Sequence, residues 1–288
     1  MWRPVFYTCL SARNALGFFS GLVEMMSTAR PVGFVLAATE HGMMILNRFD
    51  RHQVGDRQWG VGFELLRDGV FSQHEVKLCL SLLSKRRKHF GDGVIAIDGG
   101  ANIGVHAVEW AKAMCGWGQV YAIEAQERIF YALCGNLAIN NCFNAKAMHV
   151  AVGNTDAQIP VPVLDYLKEA SFGSLELRKR PVNEPVGQDV SYDDHNADAV
   201  PLIRIDSLKL SRLDFLKLDV EGMEEEALHG ASESIERHLP IMLVERIKSS
   251  RQGLECFFKD HGYKIFIAGM SFLAIHSTDP SLELVMQA

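Results

Sequence analysis

No C-x-x-C pair occurs among Cys9, Cys79, Cys115, Cys134, Cys142 and Cys256, and no histidine stands at ligand spacing from them. That argues against structural zinc and for free thiols in a reducing compartment, here the cytoplasm. No apolar run reaches the roughly 18 to 20 uninterrupted residues of a transmembrane helix, so no integral membrane span is expected. Residues 5–10 and 15–23 are apolar, but Arg13, Asn14 and Gly17 break them up and no small-residue cleavage pattern follows. Residues 1–30 therefore read as a loosely attached helix, whose Phe18, Phe19, Leu22 and Val23 are expected on the core rather than on a membrane. Positive charge is also short: 29 Lys and Arg stand against 35 Asp and Glu, for a net charge of −6. Sequence-independent binding to a phosphate backbone needs the opposite balance. What remains is 288 residues with 48% hydrophobic content, enough to bury a full core in one elaborated domain or two.

The chain is organised around residues 94–104, V-I-A-I-D-G-G-A-N-I-G. Val94, Ile95, Ala96 and Ile97 form a short apolar run without alternation, which suits a strand buried on both faces of a parallel sheet. Asp98 ends it. Gly99, Gly100 and Gly104 then let the backbone turn tightly and approach a ligand, and residues 102–114 carry a helical pattern with Ile103, Ala107, Trp110, Ala111 and Met114 on one side. In an open α/β sheet the crevice beside such a strand, turn and helix is where ligands bind. The dinucleotide pattern G-x-G-x-x-G is absent; the frame is G-x-A-x-x-G with an acid directly before it. Asp98 would repel a pyrophosphate and attract an ammonium or sulfonium. A second buried strand, residues 119–124, ends in Glu124, 26 positions beyond Asp98 (124 − 98). An acid at about that distance accepts hydrogen bonds from ribose hydroxyls in nucleotide-binding βαβ units.

The D-G-G-A-N-I-G of residues 98–104, the I-E-A-Q and N-L-A-I-N within residues 123–140, and the F-L-K-L-D-V-E-G-M-E of residues 215–224 together resemble the FkbM family of S-adenosylmethionine-dependent methyltransferases. The resemblance runs from about Gly33 to Ser277, and K-L-D-V-E-G-x-E is its most specific piece. Gly99 stands where the family usually has Val, and Ala125 where it commonly has Pro; neither changes an ionisable group. The resemblance implies an α/β class I methyltransferase (Rossmann-like) fold, with a doubly wound, mostly parallel sheet and a C-terminal antiparallel hairpin. It implies S-adenosylmethionine as cofactor, bound by Asp98, Gly100, Asn102, Gly104 and Glu124 with its adenosine toward Glu124 and its methionine toward the glycine turn. It also implies transfer to a hydroxyl of a sugar, glycolipid or polyketide-like metabolite.

Along the chain, residues 32–37 and 43–47 flank a T-E-H-G turn and read as a hairpin, and residues 49–69 read as a polar connection. A helix is expected over 72–89, with Ser72 and Glu75 as a capping box and with Val76, Leu80 and Leu83 on one face. Its basic end, K-R-R-K-H at 85–89, suits the helix macrodipole. Residues 1–90 are expected as a helical and hairpin extension packing on a cofactor domain over 91–288. Further elements are expected at 129–139 (helix), 148–152 (strand), 202–205 and 215–219 (strands), 241–245 (strand), 253–261 (helix), and 263–267 with 272–275 (hairpin). Residues 154–199 read as a long irregular stretch in which His195 sits among solvated aspartates. The cluster Glu224, Glu225 and Glu226 is what a first helical turn favours.

Asp98, Glu124, Asp219 and Glu245 all fall at C-terminal strand ends, hence on one rim of the sheet. Methyl transfer needs alignment above all, and a carboxylate can take the proton of a hydroxyl acceptor. Asp219 and Glu221 are the candidates the family motif offers, with Lys217 on the same strand face as Asp219 and Glu245 alongside. Lys217 would oppose a bound cation, so metal-free transfer is expected. Two other classes fit the sequence less well. An N-methyltransferase on nucleic acid lacks an N-P-P-Y-type motif and carries the wrong charge, and a non-catalytic nucleotide-binding module would not require the intact acids and glycines. Neither the acceptor nor the oligomeric state follows from these residues.

Overall fold

The computed structural model describes residues 31–282; the helix expected within residues 1–30 lies outside the described residues. From Gly33 onward these residues form one compact unit. It begins with a hairpin of β1 (Phe34–Thr39) and β2 (Gly42–Asn47), a short hairpin of β3 (His52–Val54) and β4 (Arg57–Trp59), and two helices, α1 (Val61–Asp68) and α2 (Gln73–Phe90). Strand and helix then alternate through β5 (Val94–Gly99), α3 (Val105–Ala113), β6 (Gly118–Glu124), α4 (Glu127–Ile139) and β7 (Ala145–His149). A small sheet is made by β8 (Ala151–Val152), β9 (Ala157–Pro162) and β10 (Ala197–Ile203). The chain continues through β11 (Phe215–Leu218), α5 (Glu224–His229), α6 (Ser232–His238), β12 (Ile241–Glu245), α7 (Arg251–Asp260), β13 (Tyr263–Ala268) and β14 (Ser271–His276).

The main sheet has seven strands in the order β13, β14, β12, β11, β5, β6, β7. Five are parallel neighbours, and β14 alone runs against the rest, inserted between β12 and β13. The doubly wound, mostly parallel sheet with its C-terminal hairpin is thus present. Every residue of β5 and β11 is buried, as unbroken apolar runs require when helices cover both faces. One apolar core lies on the α2, α3 and α4 face, where Trp110 meets Phe215 edge-on at 5.3 Å; the other lies on the α5, α6 and α7 face. The strand order reverses between β5 and β11, with β6 and β7 on one side and β12 on the other, and in such sheets ligands bind at the C-terminal strand ends beside that switch point.

Several local expectations are corrected. Asn102 and Gly104 adopt φ of 51° and 90°, a left-handed geometry incompatible with a helix, so α3 starts at Val105 rather than at 102. The connection 49–69 contains the β3–β4 hairpin and α1; Val61 and Leu65, one turn apart, are its buried anchors. Ser72 has φ 47° and makes no side-chain cap bond, so no capping box forms and Glu75 is turned elsewhere. In the basic end of α2, Arg86 is buried and pairs with Asp214 and Asp279, a fixed ion cluster beyond any dipole effect. Residues 148–152 split between β7 in the main sheet and β8 in the small one.

The stretch 154–199 is irregular only between two strands. β9 pairs with β10 in antiparallel fashion, and the strap between them buries Leu164, Ala170, Phe172, Leu175 and Val186. Asp50, itself buried, clasps the strap: its carboxylate accepts N–H bonds from Gly62 at 2.8 Å and Phe172 at 3.1 Å. The N-L-A-I-N run has an equally specific task. Asn136, fully buried, accepts from Ile45 N at 2.5 Å and donates to Ile45 O at 3.0 Å and Ile103 O at 2.8 Å, while Asn140 pairs with both backbone groups of Met43. Two amides one helical turn apart thereby satisfy the free edge of β2 as a neighbouring strand would.

Candidate functional site

Four carboxylates stand along the C-terminal rim in spatial order: Glu124 at the end of β6, Asp98 near the end of β5, Asp219 just past β11, and Glu245 at the end of β12. The turn after β5 brings them together. Gly100 N and Ala101 N both donate to Ile123 O, at 3.0 and 2.8 Å, which folds the turn over β6. Gly100 has φ +76°, and a Cβ there would lie 1.8 Å from Asp219 O; only glycine fits between the two strand ends. The turn then presents Asn102 N to Glu124 Oε2 at 2.9 Å, while Gln126 N reaches Oε1 at 2.8 Å. Burial pushes the Glu124 carboxyl up to about 7, with those N–H bonds acting in the opposite sense.

At the centre of the rim Lys217 is buried, its Nζ 3.6 Å from Asp98 Oδ1 and 3.3 Å from Asp219 Oδ2. Burial alone would lower its pKa, but Asp219, Asp98 and Glu75 outweigh it and hold the ammonium charged, above the usual lysine range. Asp98 is 1% exposed and accepts no hydrogen bond on either oxygen. At the far end Glu221 is forced to φ 53°, a strained backbone for a residue with a long side chain. It pairs with Lys248, whose Nζ also lies 2.8 Å from Glu184 Oε2 and donates to Ser174 O at 3.0 Å on the strap. Burial and the neighbouring Asp219 raise Glu221 well above the ordinary carboxylate range, with Lys248 opposing them. Glu245 is pushed up to about 7 by burial, and its oxygens accept Ile247 N at 2.7 Å and Lys248 N at 3.4 Å. Glu224, in the acidic cluster, is fully buried and accepts Val220 N and Gly222 N at 2.9 and 3.1 Å. It locks the turn after β11, a more specific task than favouring a helix dipole.

These ends open into one cavity of about 500 Å³, within the size range of small-molecule ligand sites. Of the nine residues singled out from the sequence, Gly100, Asn102, Glu124, Lys217, Asp219, Glu221 and Glu245 line it. Asp98 and Gly104 do not: Asp98 lies beneath the turn against Lys217, and Gly104 passes close to Leu133, where a Cβ would stand 2.5 Å from its side chain. Lys248, Glu75, His106, Trp59 and Phe71 also line the cavity, and sequence reasoning missed them. Lys248 sits three residues past Glu245, a cation just beyond a strand-end acid, which is the signal that could have found it. Among the described residues no three His, Cys, Asp or Glu side chains are grouped to hold a metal ion.

The donor set suits a sulfonium nucleoside. The cavity holds a buried carboxylate of the kind that can accept from ribose hydroxyls, a glycine turn that leaves room for close approach, and an excess of carboxylates to attract positive charge. A seven-stranded sheet of this order with acids at these strand ends defines a class I methyltransferase. The Methyltransferase FkbM domain model matches residues 98–265, and the chain belongs to the FkbM family of S-adenosylmethionine-dependent methyltransferases. Among solved structures it is similar to methyltransferase FkbM from Methylobacillus flagellatus KT, with 16% identity, 64% of this chain and 43% of that chain covered, and a TM-score of 0.45. It is also similar to precorrin-6y C5,15-methyltransferase from Geobacter metallireducens GS-15, with 16% identity, coverage of 70% and 77%, and a TM-score of 0.38. A third likeness is to Pyrococcus abyssi tRNA (uracil-54, C5)-methyltransferase in complex with S-adenosyl-L-homocysteine, with 10% identity, coverage of 81% and 39%, and a TM-score of 0.37. The chain thus spans less than half the length of the Methylobacillus protein. No curated protein sequence matches it.

Proposed function

We propose that this chain transfers a methyl group from S-adenosylmethionine to a hydroxyl of a small-molecule or glycan acceptor: a sugar, glycolipid or polyketide-like metabolite. The observation that carries this is the division of one cavity between Glu124, a buried carboxylate anchored on two backbone N–H groups, and Glu221, a partly buried carboxylate on a strained turn. When bound, the donor supplies an electrophilic methyl on a positively charged sulfur. Glu124 would receive the ribose hydroxyls, and Gly100 and Asn102 would let the turn lie against the nucleoside. Asp98 acts from beneath, fixing Lys217.

At the other end Glu221 would take the acceptor proton as the C–O bond to the methyl forms and the methyl–sulfur bond breaks, the donor leaving as its neutral thioether. Its raised pKa makes it a stronger base than an ordinary carboxylate, and Lys248 aims it. Glu245 is held by backbone N–H groups of its own turn and shapes the acceptor wall. Asp219, its side chain 41% exposed, borders the transfer path and is steadied by Lys217. Because that ammonium sits between Asp98 and Asp219, it takes the place a divalent cation would need, and transfer is metal-independent. The cofactor domain expected over residues 91–288 is joined in this scheme by the 33–90 part of the extension expected over residues 1–90, from which Arg57, Trp59, Glu64 and Phe71 line the same cavity.

The net charge of −6 and the carboxylates of the cavity disfavour nucleic-acid acceptors. The described residues include no helix long and apolar enough to cross a membrane, and Cys79, Cys115, Cys134, Cys142 and Cys256 are unpaired, which fits work in the cytoplasm. The test is incubation with methyl-labelled donor and extracts fractionated into small metabolites, glycolipids and nucleic acids. Label recovered as an O-methyl ether in the first two supports the assignment. Label recovered only as methylated nucleobase overturns it.

A further inference from the structure

The β3–β4 hairpin sets a cation and an aromatic ring on the cavity wall, and neither has a part in binding the donor or moving the proton. Arg57 and Trp59 stand two positions apart on β4, so their side chains leave the same face of the strand. Both line the cavity; Gln58 between them does not, and bonds instead to Gln53 on β3. Trp59 pairs in register with His52, whose ring meets the indole edge-on at 5.0 Å, and a Cβ on Gly187 of the strap would stand 2.7 Å from His52 Nδ1. The hairpin ends at Gly60, where φ is +142° and a Cβ would lie 2.3 Å from Asp50 O; β4 is thereby tied to the residue that clasps the strap. Trp59 is half-buried and Arg57 exposed, which puts the pair where the cavity meets solvent. The other two Lys or Arg side chains of the wall are neutralised: Lys217 lies between Asp98 and Asp219, and Lys248 between Glu184 and Glu221. Among the described residues Arg57 has no carboxylate partner, although Glu64 lines the same cavity.

We propose that Arg57 and Trp59 select the methyl acceptor, and that this acceptor carries an anionic group, a carboxylate or a phosphate, which Arg57 binds while the body of the molecule lies on Trp59. This rests on the methyl-transfer reading given above. A guanidinium is always charged and offers a planar fork that matches both anions with two parallel hydrogen bonds, and an indole adds a flat apolar surface beside it. The pair belongs to the acceptor rather than the donor because Arg57 would repel a sulfonium. An anion is tolerated here because the carboxylates Asp219 and Glu221 are each offset by a lysine, leaving the charge of Arg57 unbalanced at the opening. Gripping the acceptor at its anionic end restricts the directions its hydroxyl can take toward Glu221, which is the alignment methyl transfer needs. One unpaired arginine suits one anionic group and not a polyanionic backbone, which calls for several cations. Arg57 and Trp59 lie outside residues 98–265 matched by the family model, so acceptor choice resides in the N-terminal extension.

The test uses methyl-labelled donor with small-metabolite and glycolipid extracts, and passes the O-methylated products over an anion exchanger at neutral pH. The label should be retained. Treatment with phosphatase then tells the two sources of charge apart: label released to the neutral fraction identifies a phosphate monoester, and label still retained, in a product free of phosphorus, identifies a carboxylate; either supports the subsite. Over a dilution series of the extract, Arg57→Gln should raise the apparent KM for this product by roughly 10- to 100-fold, the loss expected for a charged hydrogen bond, and leave kcat within about twofold. Its affinity for S-adenosylhomocysteine should match the wild type, which certifies the fold. O-methyl label found only in the neutral fraction, or an anionic product made with the same KM by Arg57→Gln, would overturn the subsite while leaving O-methyl transfer intact. Absence of any O-methylated product would remove both together. Should Arg57→Gln fail to bind S-adenosylhomocysteine, Arg57→Lys, which keeps the charge and loses the fork, decides by the same comparison: a raised KM at unchanged donor affinity supports the subsite, and an unchanged KM refutes it.

Discussion

The raised pKa of Glu124 gives cofactor binding a pH dependence of definite sign. The carboxyl sits at about 7 in the folded protein, against an ordinary 4.5, because it is buried. Ribose hydroxyls donate to the ionised form, so binding must draw a proton off whatever fraction is neutral. With a folded pKa of about 7, almost all of the site is ionised at pH 8 and about a tenth at pH 6, so affinity should fall about tenfold across that interval. Calorimetry with S-adenosylhomocysteine at pH 6, 7 and 8, in two buffers of different ionisation enthalpy, measures both the affinity and the proton released. Glu124→Gln should bind more weakly at pH 8 and show a flat profile, which separates this group from Glu245, also at about 7. Stability runs the other way. A carboxyl whose folded pKa is raised favours folding below pH 4.5, and that contribution is lost as pH rises through 7, amounting to about 3 kcal/mol for Glu124 at 1.36 kcal/mol per pH unit. Pure cofactor affinity that is flat from pH 6 to 8 in the wild type would refute the placement of ribose on this carboxylate.

Gly100→Ala sets a Cβ 1.8 Å from Asp219 O at φ +76°; it should destabilise the protein by more than about 3 kcal/mol, read as a lowered urea midpoint, and abolish cofactor binding. Asn136→Ala leaves Ile45 N, Ile45 O and Ile103 O without partners and should cost about 2–4 kcal/mol in the same assay; a change under about 0.5 kcal/mol would mean that another group holds the β2 edge. With an acceptor in hand, turnover should be unaffected by excess chelator or added Mg²⁺, and activity lost in chelator and restored by Mg²⁺ would end the metal-free mechanism. In the same assay Glu221→Gln should lower kcat by 100-fold or more, on the order of a lost general base, whereas unchanged turnover would remove Glu221 from the reaction.

What the sequence disclosed was whatever depends on short-range pattern. The buried strands β5, β6, β11 and β12 stand out as apolar runs ending in acids, and the acids fall on one rim because parallel strands present their C-terminal ends together. The strap over residues 163–196 was illegible because its order comes from distant partners: Asp50 holding Phe172 and Lys248 holding Ser174. Local composition there, rich in proline and charge, looks like solvent-exposed chain. Ser72 and Glu75 misled for a related reason. Their spacing matches a capping box, but His106 and Lys217, brought up by other elements, redirect the glutamate into the cavity. Asn136 and Asn140 could be seen as a motif, yet nothing in the sequence says that their amides stand in for a strand at β2.

The most direct test of the whole scheme is calorimetric titration of the protein with S-adenosylmethionine, S-adenosylhomocysteine and NAD in parallel, with Glu124→Ala as the companion variant. The sulfonium donor and its demethylated product should each bind, NAD should not, and Glu124→Ala should weaken the two nucleosides by about 1.5–3 kcal/mol through the lost charged hydrogen bond. Tight binding of NAD with none of S-adenosylmethionine, or full nucleoside affinity in Glu124→Ala, would contradict it.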